Sequence, residues 1–321
     1  MKLLYGYRSW RSKLKAPVAC IGIFDGVHLG HRKVIARTMA FNAPGRDRIV
    51  ITFDPHPRNY FSSRNDPPRI MSLEHRLSIF EKMGLDAAVV INFSEAIASM
   101  APEDFVEKVL VGMGVGTVFA GSNFYFGAGK KGSIKELAKI GKKFGIQVKS
   151  VPPVKRDGKI VSSTWIRDLI SKGDLVRAKR LLGRPVSVLG TVVSGDKRGR
   201  RFGIPTANID PHHEVIPPPG VYAVDIPLGG RSYGGVLNIG FKPTFYGNKL
   251  KARKEPCIEA HIPGFSGDLY GRHIEIFFLS RIRGERRFSG EDKLKEQIEK
   301  DISAAKGIFR KAGRLAVNRM T

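Results

Sequence analysis

Phe24-Asp25-Gly26-Val27-His28-Leu29-Gly30-His31 follows directly on the apolar run Val18-Ala19-Cys20-Ile21-Gly22-Ile23. Such a run, closed by a glycine-bearing turn, reads as a buried strand, and the His-x-Gly-His after it opens a helix. Gly22, Gly26 and Gly30 carry no Cβ, so a ligand can approach their backbone closely. A helix start presents unpaired N–H groups and partial positive charge to an anion. His28 and His31 there can donate hydrogen bonds to phosphoryl oxygens as charge builds in a nucleoside triphosphate. This equipment suits nucleotidyl transfer, in which one phosphate displaces pyrophosphate and no protein nucleophile is needed. A zinc reading fails because no cysteine or carboxylate lies at ligand spacing nearby.

Around that stretch, apolar strands alternate with helical patterns. Strands are expected at 18–24, 49–53, 87–93, 115–120 and 146–151, with helices near 31–41, 73–83, 102–111 and 134–144. Alternation of this kind predicts a Rossmann-like α/β domain: a mainly parallel sheet with its ligand site at the carboxyl ends of the strands. Gly183-Arg184-Pro185 marks a change of character. Short β-rich runs follow at 186–193, 220–225, 232–239, 257–262 and 274–279, which suggests a small antiparallel barrel. Pro227-Leu228-Gly229-Gly230 reads as a hairpin turn, and 289–308 returns to helix. The expected domains are therefore 1–184 and 185–308, with 309–321 a basic, disordered tail.

A length of 321 residues accommodates two such domains. No apolar run is long enough to span a bilayer, and residues 1–17 lack the apolar core of a signal peptide. Only two cysteines, Cys20 and Cys257, occur, so the expectation is a reducing cytoplasm rather than a disulfide framework. Lys+Arg 55 against Asp+Glu 29 leaves a net charge of +26, which attracts polyanions. The charge is spread along the chain without a basic block interleaved with aromatics, so it reads as solvated faces that favour small anionic substrates.

Three further segments suit a triphosphate site in the first domain. Gly121-Ser122-Asn123-Phe124-Tyr125-Phe126-Gly127 follows the fourth strand, where the Asn123 carboxamide could fix a nucleotide. Ser162-Ser163-Thr164-Trp165-Ile166-Arg167 puts hydroxyls at a helix start and a guanidinium a turn later, a fork suited to phosphates. Pro55 and Pro57 form a rigid ledge after the second strand, and Phe53, Phe61 and Phe126 could flank a planar ring as readily as fill the core. In the second domain, Gly195, Gly199 and Gly203 would let a loop wrap phosphates. Thr206 and Asn208 offer hard oxygen ligands for Mg²⁺, although no Walker ending is present. Glu259 alternates with the apolar Ile258 and Ala260, so it points away from them and could act as a general base.

As an ordered set, segments 24–31, 52–57, 121–127, 162–167, 199–208, 238–245 and 258–271 resemble the bacterial bifunctional riboflavin kinase/FMN adenylyltransferases, often called FAD synthetases. The resemblance implies that the barrel phosphorylates riboflavin to FMN with ATP and Mg²⁺. The N-terminal domain would then adenylylate FMN to FAD, releasing pyrophosphate. By motif, Gly22, Gly30, Asn123, Ser163 and Thr164 would bind the adenylyltransferase's ATP, with His28, His31 and Arg167 as its catalytic groups. Pro55, Pro57, Phe61 and Phe126 would line its flavin pocket. Gly199 and Gly203 would cradle the kinase's ATP, Thr206 and Asn208 its metal, and Glu259 would be its base. Ile23 stands where the family commonly has Asn, and Pro263-Gly264-Phe265 replaces its usual Leu-Asp-Phe. The implied partners are riboflavin, FMN and ATP, with at most a weak or transient homo-oligomer, no dedicated nucleic-acid partner and no membrane. Two other readings stay open on the residues alone. One is a lone nucleotidyltransferase with a structural barrel, against which Thr206, Asn208 and Glu259 argue; the other is a basic RNA-binding protein that turns over no ATP.

Overall fold

A computed structural model describes residues 1–7, 10–57, 68–195, 204–244, 253–286 and 288–317. The chain divides into two compact units, Met1–Trp165 and Ile166–Thr321.

The first unit is built on strands β1 (Lys2–Tyr5), β2 (Val18–Ile21), β3 (Arg48–Asp54), β4 (Ala87–Asn92), β5 (Thr117–Gly121) and β8 (Gln147–Val151). They form one sheet in the order β1-β4-β3-β2-β5-β8, with every pairing parallel. Residues Val18 to Ile21 are all buried, as expected for a strand covered on both faces. The order turns about β2, whose neighbours are β3 on one side and β5 on the other. A ligand crevice belongs at the carboxyl ends of β2 and β5, where that reversal opens the sheet. Helices α1 (Leu29–Met39), α2 (Leu73–Lys82), α3 (Glu95–Ala98), α4 (Pro102–Phe105) and α5 (Ile134–Lys143) connect the strands. α4 runs on into a π-helical turn, Val106–Val111. Ordinary chemistry starts these helices. Ser72 Oγ accepts from His75 N, Ser133 Oγ accepts from Glu136 N, and Pro102 sits in the first turn of α4. Two ribbons, β6 (Tyr125–Phe126) with β7 (Gly132–Ser133) and β9 (Lys155–Arg156) with β10 (Lys159–Ile160), complete the unit.

α6 (Ser163–Ser171) and α7 (Leu175–Leu182) follow. α7 is capped by Asp174, which accepts from Arg177 N, and stops at Gly183, whose φ of 71° is a left-handed conformation that suits glycine. The second unit then closes a barrel in the order β11-β12-β15-β14-β13-β16, every pairing antiparallel. Its strands are β11 (Ser187–Val193), β12 (Thr206–Asp210), β13 (Gly220–Leu228), β14 (Arg231–Thr244), β15 (Arg253–His261) and β16 (His273–Arg283). Gly229 and Gly230, at φ 56° and 78°, make the two-residue turn of the expected hairpin. α8 (Glu291–Val317) packs on the barrel through Ala305, beside Val221, Ala223 and Val236.

Three elements differ from the sequence reading. β1 adds a sixth parallel strand in a stretch read only as a basic N-terminus. β12 is a strand in a stretch for which no strand was expected. The helix runs on to Val317 where a disordered tail from 309 was expected; the bare Cα of Gly234 receives the Phe309 ring and extends the docking. Among the described residues, no helix is long and apolar enough to cross a membrane.

Candidate active sites

The turn after β2 is held in an unusual shape. Phe24 and Val27 have φ of 56° and 39°, and Gly26 of 82°. A Cβ on Gly26 would also stand 2.9 Å from Ile70 Cδ1, so only glycine fits there without displacement. Asp25 fixes the turn from inside: its Oδ1 accepts from Ile70 N at 3.0 Å and Met71 N at 3.1 Å. Its carbonyl accepts from Ser163 Oγ at 2.8 Å, which brings one predicted residue to the turn.

His28 is the N-cap of α1. Its Nδ1 accepts from Gly30 N at 3.1 Å and His31 N at 3.4 Å. Gly30 makes room for this, since a Cβ there would lie 3.1 Å from the imidazole Cε1. An accepting Nδ1 carries no proton, so the neutral ring keeps its hydrogen on Nε2, which is then a donor. His31 stacks on His28 with ring centroids 3.6 Å apart, and Phe24 meets His31 edge-on. Burial pushes the His28 pKa down to about 4. Burial, then the charges of His28 and Arg76, holds His31 well below the ordinary imidazole value. Both rings are therefore neutral at physiological pH, hydrogen-bond donors rather than fixed cations. His31 Nδ1 is buried without a hydrogen-bond partner among the described residues, the kind of orphan that a ligand satisfies.

Beside the turn lies a cavity of about 530 Å³. Ile23, Phe53, Pro57, Phe105 and Phe126 line its apolar side, and Asn123 and Lys130 its polar side. Phe124 stacks on Phe126 at 5.8 Å. Phe53 and Phe126 are at once core residues and cavity walls, so the two alternatives for the aromatics merge. Asn123 is exposed in the turn after β5, and the missing Cβ of Gly121 leaves room for its Oδ1, which a Cβ would meet at 2.9 Å. Gly22 is packed under the Phe24 ring. Pro55 is half-buried after β3, outside the residues that line the cavity, and Phe61 lies outside the described residues. Thr164 is exposed in the first turn of α6; Ser162 Oγ caps that helix by accepting from Trp165 N, and Arg167 stands one turn on.

Sequence reading missed the group beneath the turn. Arg76, 2% exposed on α2, donates from Nη1 to the Ile23 carbonyl at 2.6 Å and to Thr52 Oγ1 at 3.0 Å. Asp54 pairs with Arg69 at 2.8 Å and with Arg76 at 3.4 Å. The signal was present: Leu73, Arg76 and Phe80 share one helix face, so an arginine interrupts an otherwise apolar stripe.

On the barrel, Asn208 of β12 and Asn238 of β14 both register opposite Glu259 of β15. Ile258 and Ala260 are buried, so Glu259 points away from them, as expected from alternation. The Cys257 thiol donates to Glu259 Oε1 at 3.5 Å and lies 3.9 Å from Asn208 Oδ1. Gly195 packs directly on the Asn208 carboxamide, and a Cβ there would collide with it. Two cavities meet at Thr206. One of about 340 Å³ is lined by Glu259, Asn238, Val221, Phe288, Leu294 and Ile298. The other, about 390 Å³, is lined by Ala207, Phe265, Asp268 and Tyr270. Gly199 and Gly203 lie outside the described residues. Arg283 closes the first cavity against Asp301 through contacts of 2.8 to 3.1 Å.

The donors Thr206 Oγ1 and Asn208 Oδ1 are hard oxygens, and among the described residues no cluster of three or more His, Cys, Asp or Glu could hold a metal by itself. That set fits an Mg²⁺ that keeps water and substrate phosphates as its remaining ligands.

Comparison with known proteins gives a family match for each of two parts of the chain. Residues 11–165 match the FAD synthetase family model, and residues 182–309 match that of riboflavin kinase. The bifunctional riboflavin kinase/FMN adenylyltransferase of Bacillus subtilis is 39% identical over 297 residues, 91% of this chain and 92% of that one. Its Escherichia coli K12 counterpart is 34% identical, covering 96% of this chain and 98% of that one. A solved structure titled a macrolide-efflux protein from Streptococcus pneumoniae shares the fold with a TM-score of 0.80 at 27% identity, covering 95% of this chain and 99% of that chain.

Proposed function

Given that the chain belongs to the bifunctional riboflavin kinase/FMN adenylyltransferases, enzymes that make FMN and then FAD, we propose how its residues divide the two reactions. Residues 1–184 carry adenylyl transfer and residues 185–308 carry riboflavin phosphorylation.

In the first reaction an FMN phosphate oxygen attacks the α-phosphorus of ATP, and pyrophosphate leaves. His28 and His31 donate to the phosphoryl oxygens where negative charge accumulates. The orphaned His31 Nδ1 beside a capped, Nε2-protonated His28 is the observation that carries this assignment. An arriving triphosphate raises both pKa values by its charge and so strengthens these donors as it binds. Gly22, Gly30, Asn123, Ser163 and Thr164 hold the nucleotide, and Arg167 offers its fork to the leaving phosphates. The flavin ring occupies the cavity of about 530 Å³ against Phe126 and Pro57.

In the second reaction the ribityl 5′-hydroxyl of riboflavin attacks the γ-phosphorus of ATP, releasing ADP. Glu259 accepts the hydroxyl proton. The apolar cavity with Phe288 and Leu294 takes the flavin, and the neighbouring one takes ATP, because Thr206 borders both and Glu259 only the former. Thr206 and Asn208 would hold Mg²⁺, which when bound neutralises phosphate charge during transfer. Cys20 and Cys257 are thiols rather than a disulfide, which supports a reducing cytoplasm as the site of action.

Purified protein given riboflavin, ATP and Mg²⁺ should form FMN first and FAD second, with pyrophosphate released in step with FAD. FMN without FAD, or neither product, rejects the assignment.

A further inference from the structure

We infer that Arg76 is a positioning residue for adenylyl transfer: its buried guanidinium holds the Ile23 carbonyl from which the His28–His31 turn departs. The inference rests on the assignment of those histidines to that reaction.

α2 seats the turn at consecutive points. Arg76 Nη1 reaches the Ile23 carbonyl at 2.6 Å, and Thr52 Oγ1 donates to the same oxygen at 3.1 Å. One turn later on the same face, the Phe80 ring meets Phe24 edge-on at 5.8 Å, and Phe24 in turn meets His31 at 5.3 Å. Just before α2, the backbone of Ile70 and Met71 binds Asp25. Residues 23, 24 and 25 are thus each held by α2 or its approach, and the next residues carry the left-handed φ values that aim His28. A conformation of that kind persists only where its surroundings over-determine it. Arg76 can serve because its planar fork bonds several acceptors at once; it also reaches the Phe53 carbonyl at 3.5 Å and Asp54 at 3.4 Å. A lysine ammonium in the same place would keep the charge and lose the fan of bonds. The cation also lies near enough to His31 to help keep that ring neutral.

The test uses the full chain with Arg76→Lys and Arg76→Met, following FAD formation from supplied FMN and ATP and, on the same samples, FMN formation from riboflavin. Both tryptophans, Trp10 and Trp165, lie in the first unit, so their fluorescence reports whether that unit is folded. A displaced histidine pair should lower kcat for FAD formation at least tenfold per folded molecule in both variants. KM for ATP and FMN should stay within about threefold and riboflavin phosphorylation should be unchanged. A kcat within twofold of the parent in folded Arg76→Lys overturns the inference, as does equal loss of both activities. If Arg76→Met does not fold, Arg76→Lys decides alone. A parent protein that makes no FAD at all defeats the underlying assignment; an active parent with an unimpaired Arg76→Lys defeats only the role of Arg76.

Discussion

Replacing His28 by Asn separates its structural and chemical roles. Asn is a good helix cap and should still accept from Gly30 N and His31 N, but it does not titrate and presents no imidazole Nε2–H. In the parent protein burial lowers the His28 pKa from 6.5 to about 4. A histidine depressed in this way binds fewer protons folded than unfolded. Its contribution is therefore whole above the unfolded pKa and is lost as pH falls through the interval between the two values. Linkage over 2.5 units gives about 2 kcal/mol lost between pH 7 and pH 5, and His31 acts in the same direction. The fluorescence of Trp10 and Trp165, which both lie in the first unit, follows its unfolding in urea. The parent should lose about 2 kcal/mol more than His28→Asn between those pH values. In the same variant, FAD formation should fall by about 10²–10³, the usual cost of one donor to a developing oxyanion, with FMN formation intact. Equal pH slopes in the two proteins would refute the capped, neutral imidazole.

The barrel yields three further expectations. Glu259→Gln should reduce FMN formation by about 10²–10⁴ while sparing FAD made from supplied FMN; equal loss of both would remove Glu259 from the base role. Gly195→Ala forces the Asn208 carboxamide to move, so riboflavin phosphorylation should drop at least tenfold with adenylyl transfer unchanged, measured by separating FMN and FAD chromatographically. Asp301→Ala strands the half-buried Arg283 guanidinium, and should cost up to about 3 kcal/mol of stability, read from circular dichroism during urea unfolding.

Much of the architecture was legible because the first domain obeys strong regularities. Apolar runs such as 18–21 and 87–91 are continuous, as a doubly covered parallel sheet requires, and the helices between them carry recognisable caps. β1 escaped because four residues at a sheet edge carry too little pattern. β12 escaped because Thr206-Ala207-Asn208 follows glycine and proline and pairs only through distant strands, β11 and β15. His28 and His31 were recognisable as a pair, but a histidine is an uncommon cap, so the hydrogen bonds that leave Nε2 as the donor needed coordinates. Arg76 was hidden for the opposite reason: charged residues on helices are ordinarily solvated, and only its position within the stripe of Leu73 and Phe80 marks it. Asn208 and Glu259 were found separately in sequence; their facing register across β12 and β15 emerged only from the closed barrel.

The claim that one chain holds two independent active sites is tested most directly by mixing. His28→Asn should stop at FMN when given riboflavin and ATP, and Glu259→Gln should leave riboflavin untouched. Combined in equal amounts, the two proteins should make FAD, because FMN released by the first is adenylylated by the second. A mixture that forms no FAD, from variants that each keep their remaining activity, would contradict the account.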